Sequence, residues 1–163
     1  MSSRKIIFLD IDGVLATFSC WASDKSTWFY DPEHTPEIVG SGRYYPFDQD
    51  CVKEFNRLIA ETGAQIVISS SWRMFGAEAM RRILKWNKTD GEILECIEKE
   101  GFGPRWKEIN RWLEKQPDKD TIRFVILDDI PDMGELSDHH VHQLEGELTA
   151  EHVDRAIQLL GKK

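Results

Sequence analysis

Two carboxylates separated by one residue stand directly after a short apolar run near the start of the chain. The run from Lys5 to Asp10 continues into Ile11, Asp12 and Gly13. Like charges this close repel and shift each other's pKa, so the pair suggests a bound cation or a division into a base and an acid. Gly13 permits a sharp exit from a strand with positive φ. Taken alone, the pair would also fit two solvated turn aspartates.

Two further apolar runs end in side chains suited to phosphate or metal chemistry. Residues 65–69 lead into Ser69-Ser70-Ser71-Trp72-Arg73, and residues 122–127 lead into Asp128-Asp129-Ile130-Pro131-Asp132. Chance is a poor explanation for three such strand ends in one chain. For individual residues a structural role stays open, because Ser70 and Ser71 could cap the next helix. Arg73 could likewise be a solvated residue of the first helical turn.

The elements that must position these groups alternate between strands and helices. Residues 5–10, 65–69 and 122–127 have the continuous apolar pattern of strands buried on both faces. Helices with one apolar face are predicted between and after them, over residues 48–62, 80–84, 106–113 and 149–160. This alternation predicts an α/β fold, a Rossmann-like three-layer α/β/α sandwich with a mainly parallel sheet. Ligands of such sheets bind beyond the carboxyl ends of the strands.

Two stretches do not fit the alternation. Residues 16–47 combine prolines and glycines with many aromatic side chains and show no sustained period, which predicts an aromatic flap or small cap insertion. In that flap, Trp28 and Tyr45 would stack on a base or, more commonly, supply packing area. The apolar segment 93–97 is left unassigned. The chain is expected to be a single domain over residues 1–163, with no large cap domain.

Composition excludes several classes of protein. The chain has 163 residues and a formal charge of −8, from 29 acidic and 21 basic residues. That balance argues against tight, sequence-independent nucleic-acid binding. The apolar run near the N-terminus is too short for a signal peptide or a membrane span, so no membrane association and a cytoplasmic location are expected. Three widely spaced cysteines fit neither a disulfide framework nor a paired-cysteine zinc site.

The order and spacing of the strand ends resemble the haloacid dehalogenase (HAD) superfamily of phosphohydrolases. The first motif of that superfamily, Asp-x-Asp-Gly after the first strand, is matched closely by Ile7-Phe8-Leu9-Asp10-Ile11-Asp12-Gly13-Val14-Leu15. Its second motif, a Ser or Thr after a hydrophobic strand, resembles Ser69. Its acidic fourth motif resembles Asp128-Asp129, with Asp132 as an alternative second carboxylate. The Ser-Ser-Ser-Trp-Arg string also resembles small phosphatase domains of this superfamily that are associated with nucleic-acid repair.

The resemblance implies roles for these residues. Asp10 would attack phosphorus to form an aspartyl-phosphate, and Asp12 would protonate the leaving alcohol and then activate water. Mg²⁺ would bind Asp10, the backbone carbonyl of Asp12 and Asp128, with Asp129 or Asp132 completing the shell. The third motif supplies a Lys or Arg that both Lys107 and Arg105 fit, with Lys107 as first choice. The phosphoryl oxygens would be bound by some of Ser69, Ser70, Lys107, Arg105 and Arg73.

Several alternatives stay open. The substrate implied by the resemblance is a phosphorylated small molecule, a nucleotide or a nucleic-acid terminus. A non-catalytic binding module with the same fold and a phosphotransferase are the competing functions. His139, His140 and His142 suggest zinc, but no fourth ligand has suitable spacing, so an exposed strand is the preferred interpretation. The sequence does not indicate an oligomeric state.

Overall fold

The computed structural model describes residues 3–22 and 47–163. Its strands are β1 (Lys5–Leu9), β2 (Gln65–Ile68), β3 (Ile93–Cys96), β4 (Arg123–Asp128) and β5 (His140–His142). They form one parallel sheet in the order β3-β2-β1-β4-β5. Its helices are α1 (Phe18–Ala22), α2 (Gln49–Thr62), α3 (Ala77–Trp86), α4 (Arg105–Glu114) and α5 (Ala150–Leu160).

The central strand β1 is buried on both faces, and its side chains alternate between two hydrophobic cores. Ile7 and Leu9 pack in a core with residues of α2, α3 and α5. Ile6 and Phe8 pack in a second core with α4, where the ring of Phe8 lies edge-on to Trp112 at 5.3 Å between ring centres. Because a strand presents alternate residues to opposite faces, a fully apolar strand needs helices on both sides. The predicted three-layer α/β/α sandwich with a parallel sheet is confirmed.

The predicted helix ends are confirmed by their caps. Asp48 begins α2 by accepting a hydrogen bond from the backbone N–H of Asp50, and Gly63 ends it in the left-handed conformation at φ 66°. Thr149 begins α5 with a capping box in which His152 is the reciprocal partner. These local signals are readable from sequence because each depends on residues within one turn.

Other stretches differ from the prediction or lie outside it. The unassigned segment 93–97 contains β3, a short strand that pairs with β2 at the edge of the sheet formed by the described residues. A 3₁₀ turn at Ser71–Phe75 precedes α3. Most of the predicted flap at 16–47, including Trp28 and Tyr45, lies outside the described residues, and the described part contains no cap domain. No helix in residues 3–22 and 47–163 is long and apolar enough to cross a membrane.

The order of the strands fixes where a ligand site can form. The chain steps from β1 to β2 and β3 and then returns past β1 to β4, and α4, which makes the return, lies on the opposite face of the sheet. Right-handed crossovers require that change of face. The segments after β1 and after β4 therefore leave the sheet toward opposite sides and open a crevice between the two strand ends, the usual ligand position in open α/β sheets.

Candidate active site

Two buried aspartates lie side by side at this crevice. Asp10 follows β1 directly, Asp128 is the last residue of β4, and the Asp10 backbone N–H donates to the Leu127 carbonyl at 3.0 Å. Their side chains are 6% and 1% exposed. Carboxylates removed from water to this extent need cations or hydrogen-bond donors around them. Strand pairing therefore places the two acidic groups together, and their surroundings must offset the charge.

A third carboxylate makes this pair into a candidate metal site. One oxygen from each of Asp10, Asp128 and Asp129 lies within 4.8 Å of the other two. Gly13 allows the approach of Asp129, because Gly13 has φ +77° and a Cβ there would lie 2.3 Å from the Asp129 Oδ2. Carboxylate oxygens are the ligands that hard divalent cations prefer. The residues fit such a cation, while a contribution from the Asp12 carbonyl stays a prediction.

Asp132 is predicted from the sequence as an alternative to Asp129 for the second acidic residue after β4. Its Oδ1 accepts a hydrogen bond from the Gly134 N–H at 2.9 Å, and the side chain is exposed. It therefore stabilises the turn after β4, and the carboxylate that joins Asp10 and Asp128 is that of Asp129. The geometry favours Asp129 for the metal role.

Arg105 supplies the positive charge of the site. Its Nη1 lies 2.7 Å from the Asp128 Oδ2 and 3.2 Å from the Asp10 Oδ2, and its side chain is 15% exposed. The residue begins α4, which is held against the sheet by the buried side chains of Ile109 and Trp112. One guanidinium thus bridges both strand-end carboxylates.

Lys107, the first choice for this basic role, lies elsewhere. It is exposed, and its ammonium sits 5.4 Å from the centre of the Trp106 ring. The helical period explains the difference, because Arg105 precedes the buried Ile109 by four residues and so shares its face. Lys107 precedes Ile109 by two and points away. The geometry favours Arg105 over Lys107. The four-residue spacing between Arg105 and the apolar Ile109 was a signal present in the sequence.

Burial and charge together perturb Asp10. Removal from water, and next the neighbouring charge of Asp128, raise the pKa of Asp10 to about 7, while the Arg105 guanidinium and the Ser70 hydroxyl act in the opposite direction. Arg105 therefore offsets only part of the destabilisation of the ionised form. A bound divalent cation would favour the ionised form, which is the form able to act as ligand and nucleophile.

The serines after β2 lie against these acids. Ser69 and Ser70 are 1% and 0% exposed. The Ser70 hydroxyl favours the ionised form of Asp10 and so lowers its pKa, and its oxygen accepts a hydrogen bond from the Trp72 backbone N–H as a cap of the 3₁₀ turn. The Ser69 Oγ is buried and has no hydrogen-bond partner within the described residues. Such an orphaned hydroxyl is unusual and is available to an incoming oxygen.

Arg73 has a partner of its own. Its Nη1 lies 2.6 Å from the Glu108 Oε2, and the two side chains are 18% and 5% exposed. Removing either partner of a buried pair leaves an uncompensated charge, so this ion pair holds α4 against the 3₁₀ turn. The contact favours the structural role for Arg73, and its predicted phosphate role stays a prediction.

A contact that sequence reasoning missed concerns Asp12. The Trp72 indole Nε1–H donates to the Asp12 Oδ2 at 3.0 Å. The Trp72 ring also contacts those of Phe47 and Phe75, at 6.0 and 5.9 Å between ring centres. The tryptophan that follows the serines therefore holds the second aspartate of the first motif. The only sequence signal was the position of Trp72 in the second strand-end string.

The three histidines do not face a common metal. His140 and His142 lie on one face of β5, and their Nε2 atoms contact the backbone carbonyls of Asp128 and Asp129. His139 stacks on Phe124 at 4.0 Å between ring centres. The interpretation of His140 and His142 as part of a plain exposed strand is therefore incomplete, because both rings contact the backbone beside the acidic pair.

Comparison with known proteins identifies a family. The model of a family described as "HAD domain in Swiss Army Knife RNA repair proteins" matches residues 6–153. No curated protein and no solved structure matches the chain significantly. The match covers the sheet except for Lys5, the first residue of β1, and it includes all three strand ends described above.

We expect Asp10→Asn to stabilise the metal-free protein at pH 8. The folded state binds a proton at Asp10 with a pKa of about 7, and the unfolded state with a pKa of about 3.9. The parent therefore loses stability as pH rises from about 4 to 7, by up to about 4 kcal/mol, and the variant does not. Urea unfolding in chelator across this range measures the difference.

Asp132→Asn is the matched control, because it neutralises an exposed aspartate and retains a turn-capping oxygen. Its free energy of unfolding should follow that of the parent across the pH range. A parent that is more stable than Asp10→Asn at pH 8 would contradict the expected destabilisation by the ionised Asp10.

Proposed function

The chain belongs to the family of HAD domains in Swiss Army Knife RNA repair proteins, and we propose that it is a magnesium-dependent phosphatase that removes a phosphate monoester from an RNA end. The observation that carries the proposal is the convergence of three carboxylates, from Asp10, Asp128 and Asp129, beside the guanidinium of Arg105. Membership supports a hydrolase of the HAD type, and the chemistry of these side chains supports phosphoryl transfer.

The first step is attack by Asp10. A carboxylate oxygen of Asp10 forms a bond to phosphorus as the bond from phosphorus to the RNA oxygen breaks. The product of this step is an aspartyl-phosphate, and covalent catalysis of this kind divides one difficult displacement into two easier ones. The contact of Arg105 with Asp10 supports this role, because it holds the carboxylate in place from the protein side.

Asp12 acts as the general acid in the first step and as the general base in the second. It gives a proton to the departing RNA hydroxyl and then takes one from the water that hydrolyses the aspartyl-phosphate, which releases inorganic phosphate and regenerates Asp10. Asp12 is more exposed than Asp10, so it can exchange protons with solvent. The hydrogen bond from Trp72 supports a fixed orientation of its carboxylate.

Hydrogen-bond donors of the protein and the cation would together stabilise the negative charge on the phosphoryl group. Mg²⁺ would be held by Asp10, Asp128, Asp129 and the backbone carbonyl of Asp12, and it would supply neutralisation of the phosphoryl oxygens. Arg105 and the orphaned Ser69 hydroxyl are the protein donors proposed to bind those oxygens. Positioned donors of this kind do most of the work in phosphoryl transfer.

The substrate follows from the family and from the charge of the chain. The family name supports an RNA end, and the net charge of −8 argues against recognition through long stretches of phosphate backbone. Recognition therefore centres on the terminal phosphate. Phosphotransfer to an alcohol, in place of water, is the competing chemistry, and added acceptor alcohols would reveal it as phosphorylated products.

We expect Mg²⁺-dependent release of phosphate from oligoribonucleotides phosphorylated at the 3′ or the 5′ end, in preference to nucleoside monophosphates and sugar phosphates. Asp10→Asn should lower kcat by about 10³-fold or more, because it removes the nucleophile. Colorimetric phosphate release from this panel, with and without chelator, makes the measurement.

Asp132→Asn is again the control and should retain the activity of the parent. Absence of turnover on every substrate in Mg²⁺ would favour the non-catalytic binding module. Turnover confined to small metabolites would overturn the proposed RNA substrate, while the proposed phosphatase activity would stand.

We expect Trp72→Phe to discriminate between leaving groups. The substitution keeps an aromatic ring and removes the N–H that holds Asp12, so kcat/KM should fall about tenfold for RNA ends, whose alkoxide needs a proton. It should change little for a nitrophenyl phosphate, whose leaving group departs as the anion.

Trp112→Phe is the matched control, because the Trp112 Nε1–H donates to the Glu95 Oε1, away from the site. An equal loss on both substrates by Trp72→Phe would argue that the indole supports the fold and does not orient an acid.

A further inference from the structure

The edge strand β5 approaches the acidic end of β4 in a fixed register. Residues His140, Val141 and His142 pair with Ile126, Leu127 and Asp128. Because strand residues two apart share a face, the rings of His140 and His142 stand together, 5.3 Å between centres. Both rings lie at the level where β4 ends and the candidate metal site begins.

Both imidazoles hydrogen-bond to the backbone of the acidic pair. The His140 Nε2 lies 2.9 Å from the Asp128 carbonyl oxygen, and the His142 Nε2 lies 3.0 Å from the Asp129 carbonyl oxygen. A carbonyl can only accept, so each ring donates its Nε2–H. The Gln143 backbone N–H adds a third donor, at 3.2 Å from the Asp128 carbonyl. The peptide groups of both aspartates are therefore held from β5.

Asp128 and Asp129 differ in the other hydrogen bonds that hold them in place. The Asp128 carboxylate is also fixed by the Ile130 backbone N–H at 2.9 Å and by Arg105 at 2.7 Å. Asp129 is exposed, and within the described residues its carbonyl is anchored by His142. The direction of the Asp129 side chain depends on the orientation of its peptide group, so His142 has the larger influence on Asp129.

We propose that His140 and His142 are positioning residues of the metal site, which hold the Asp128–Asp129 backbone so that both carboxylates converge on Asp10. This inference rests on the proposed function, because it assumes that these carboxylates bind Mg²⁺. The histidines act through the backbone and do not bind the metal, since their Nε2 atoms face carbonyl oxygens. Outer groups that orient metal ligands commonly change metal affinity 10–100-fold when removed.

The test is a titration of the metal-free protein with Mg²⁺ alone, followed by the rise in thermal midpoint. His142→Leu should raise the Mg²⁺ concentration for half-maximal stabilisation about tenfold. His142→Gln should stay close to the parent, because the glutamine amide can donate from a position near that of Nε2. His140→Leu and His140→Gln form a second pair, in which His140→Leu should cause a smaller shift, because Asp128 is also held by Ile130 and Arg105.

His139→Leu is the matched control. His139 contacts the Phe124 carbonyl at 3.2 Å and stacks on the Phe124 ring, so its loss removes a histidine–carbonyl contact on β4 away from the acids. It should lower the thermal midpoint without changing the Mg²⁺ response. If the leucine variant of one histidine does not fold, the leucine variant of the other provides the test, because His140 and His142 are substituted separately.

The outcomes separate the two proposals. An unchanged Mg²⁺ response in His142→Leu and His140→Leu overturns the positioning role and leaves the metal site intact. Glutamine variants as weak as the leucine variants, or an equal loss in His139→Leu, also overturn it. A parent protein that Mg²⁺ does not stabilise overturns the metal site itself, and the positioning role with it.

Discussion

Arg105 reaches Asp10 and Asp128 with a single guanidinium nitrogen, and this contact offsets part of the cost of burying two carboxylates at adjacent strand ends. The contact requires that α4 begin at the crevice, which in turn requires its apolar face, including Ile109 and Trp112, to pack on the sheet. The hydrophobic core and the charged site are therefore linked through one helix. A shift of α4 would expose the core and leave the acids uncompensated.

The same helix connects the other strand ends. Glu108, one turn beyond Arg105, pairs with Arg73 of the 3₁₀ turn that follows β2. From that turn, Trp72 reaches back to Asp12 after β1. The loops after β1, β2 and β4 thus share a continuous network of contacts across the topological switch point. β5 adds its histidines from the far side of β4, so every part of the acidic cluster is held from at least one neighbouring strand or helix.

Sequence predicted the parts of this arrangement that depend on local pattern. Strand ends, helix caps and the acids Asp10 and Asp128 follow from apolar runs and their boundaries. The choice of Arg105 over Lys107 could have been made from the sequence, because Arg105 lies four residues before the apolar Ile109 and therefore on the same face of α4. The contacts of Trp72 with Asp12 and of His142 with Asp129 were not predictable. They join residues far apart in the chain, and their existence depends on turn geometry and on the register of β5.

If the proposed function holds, the charges of the site would make metal and substrate reinforce each other's binding. Within the described residues, the guanidinium of Arg105 contacts the carboxylates of Asp10 and Asp128, and those of Asp12 and Asp129 follow the same two strands. Arg73 adds little, because Glu108 already neutralises it. A phosphate monoester is largely a dianion at neutral pH, so the metal-free site repels it. A divalent cation bound by Asp10, Asp128 and Asp129 would remove much of that repulsion. In the proposed reaction the cation would then be needed for the phosphate to enter as well as to react, and bound phosphate would in turn raise the affinity for the cation.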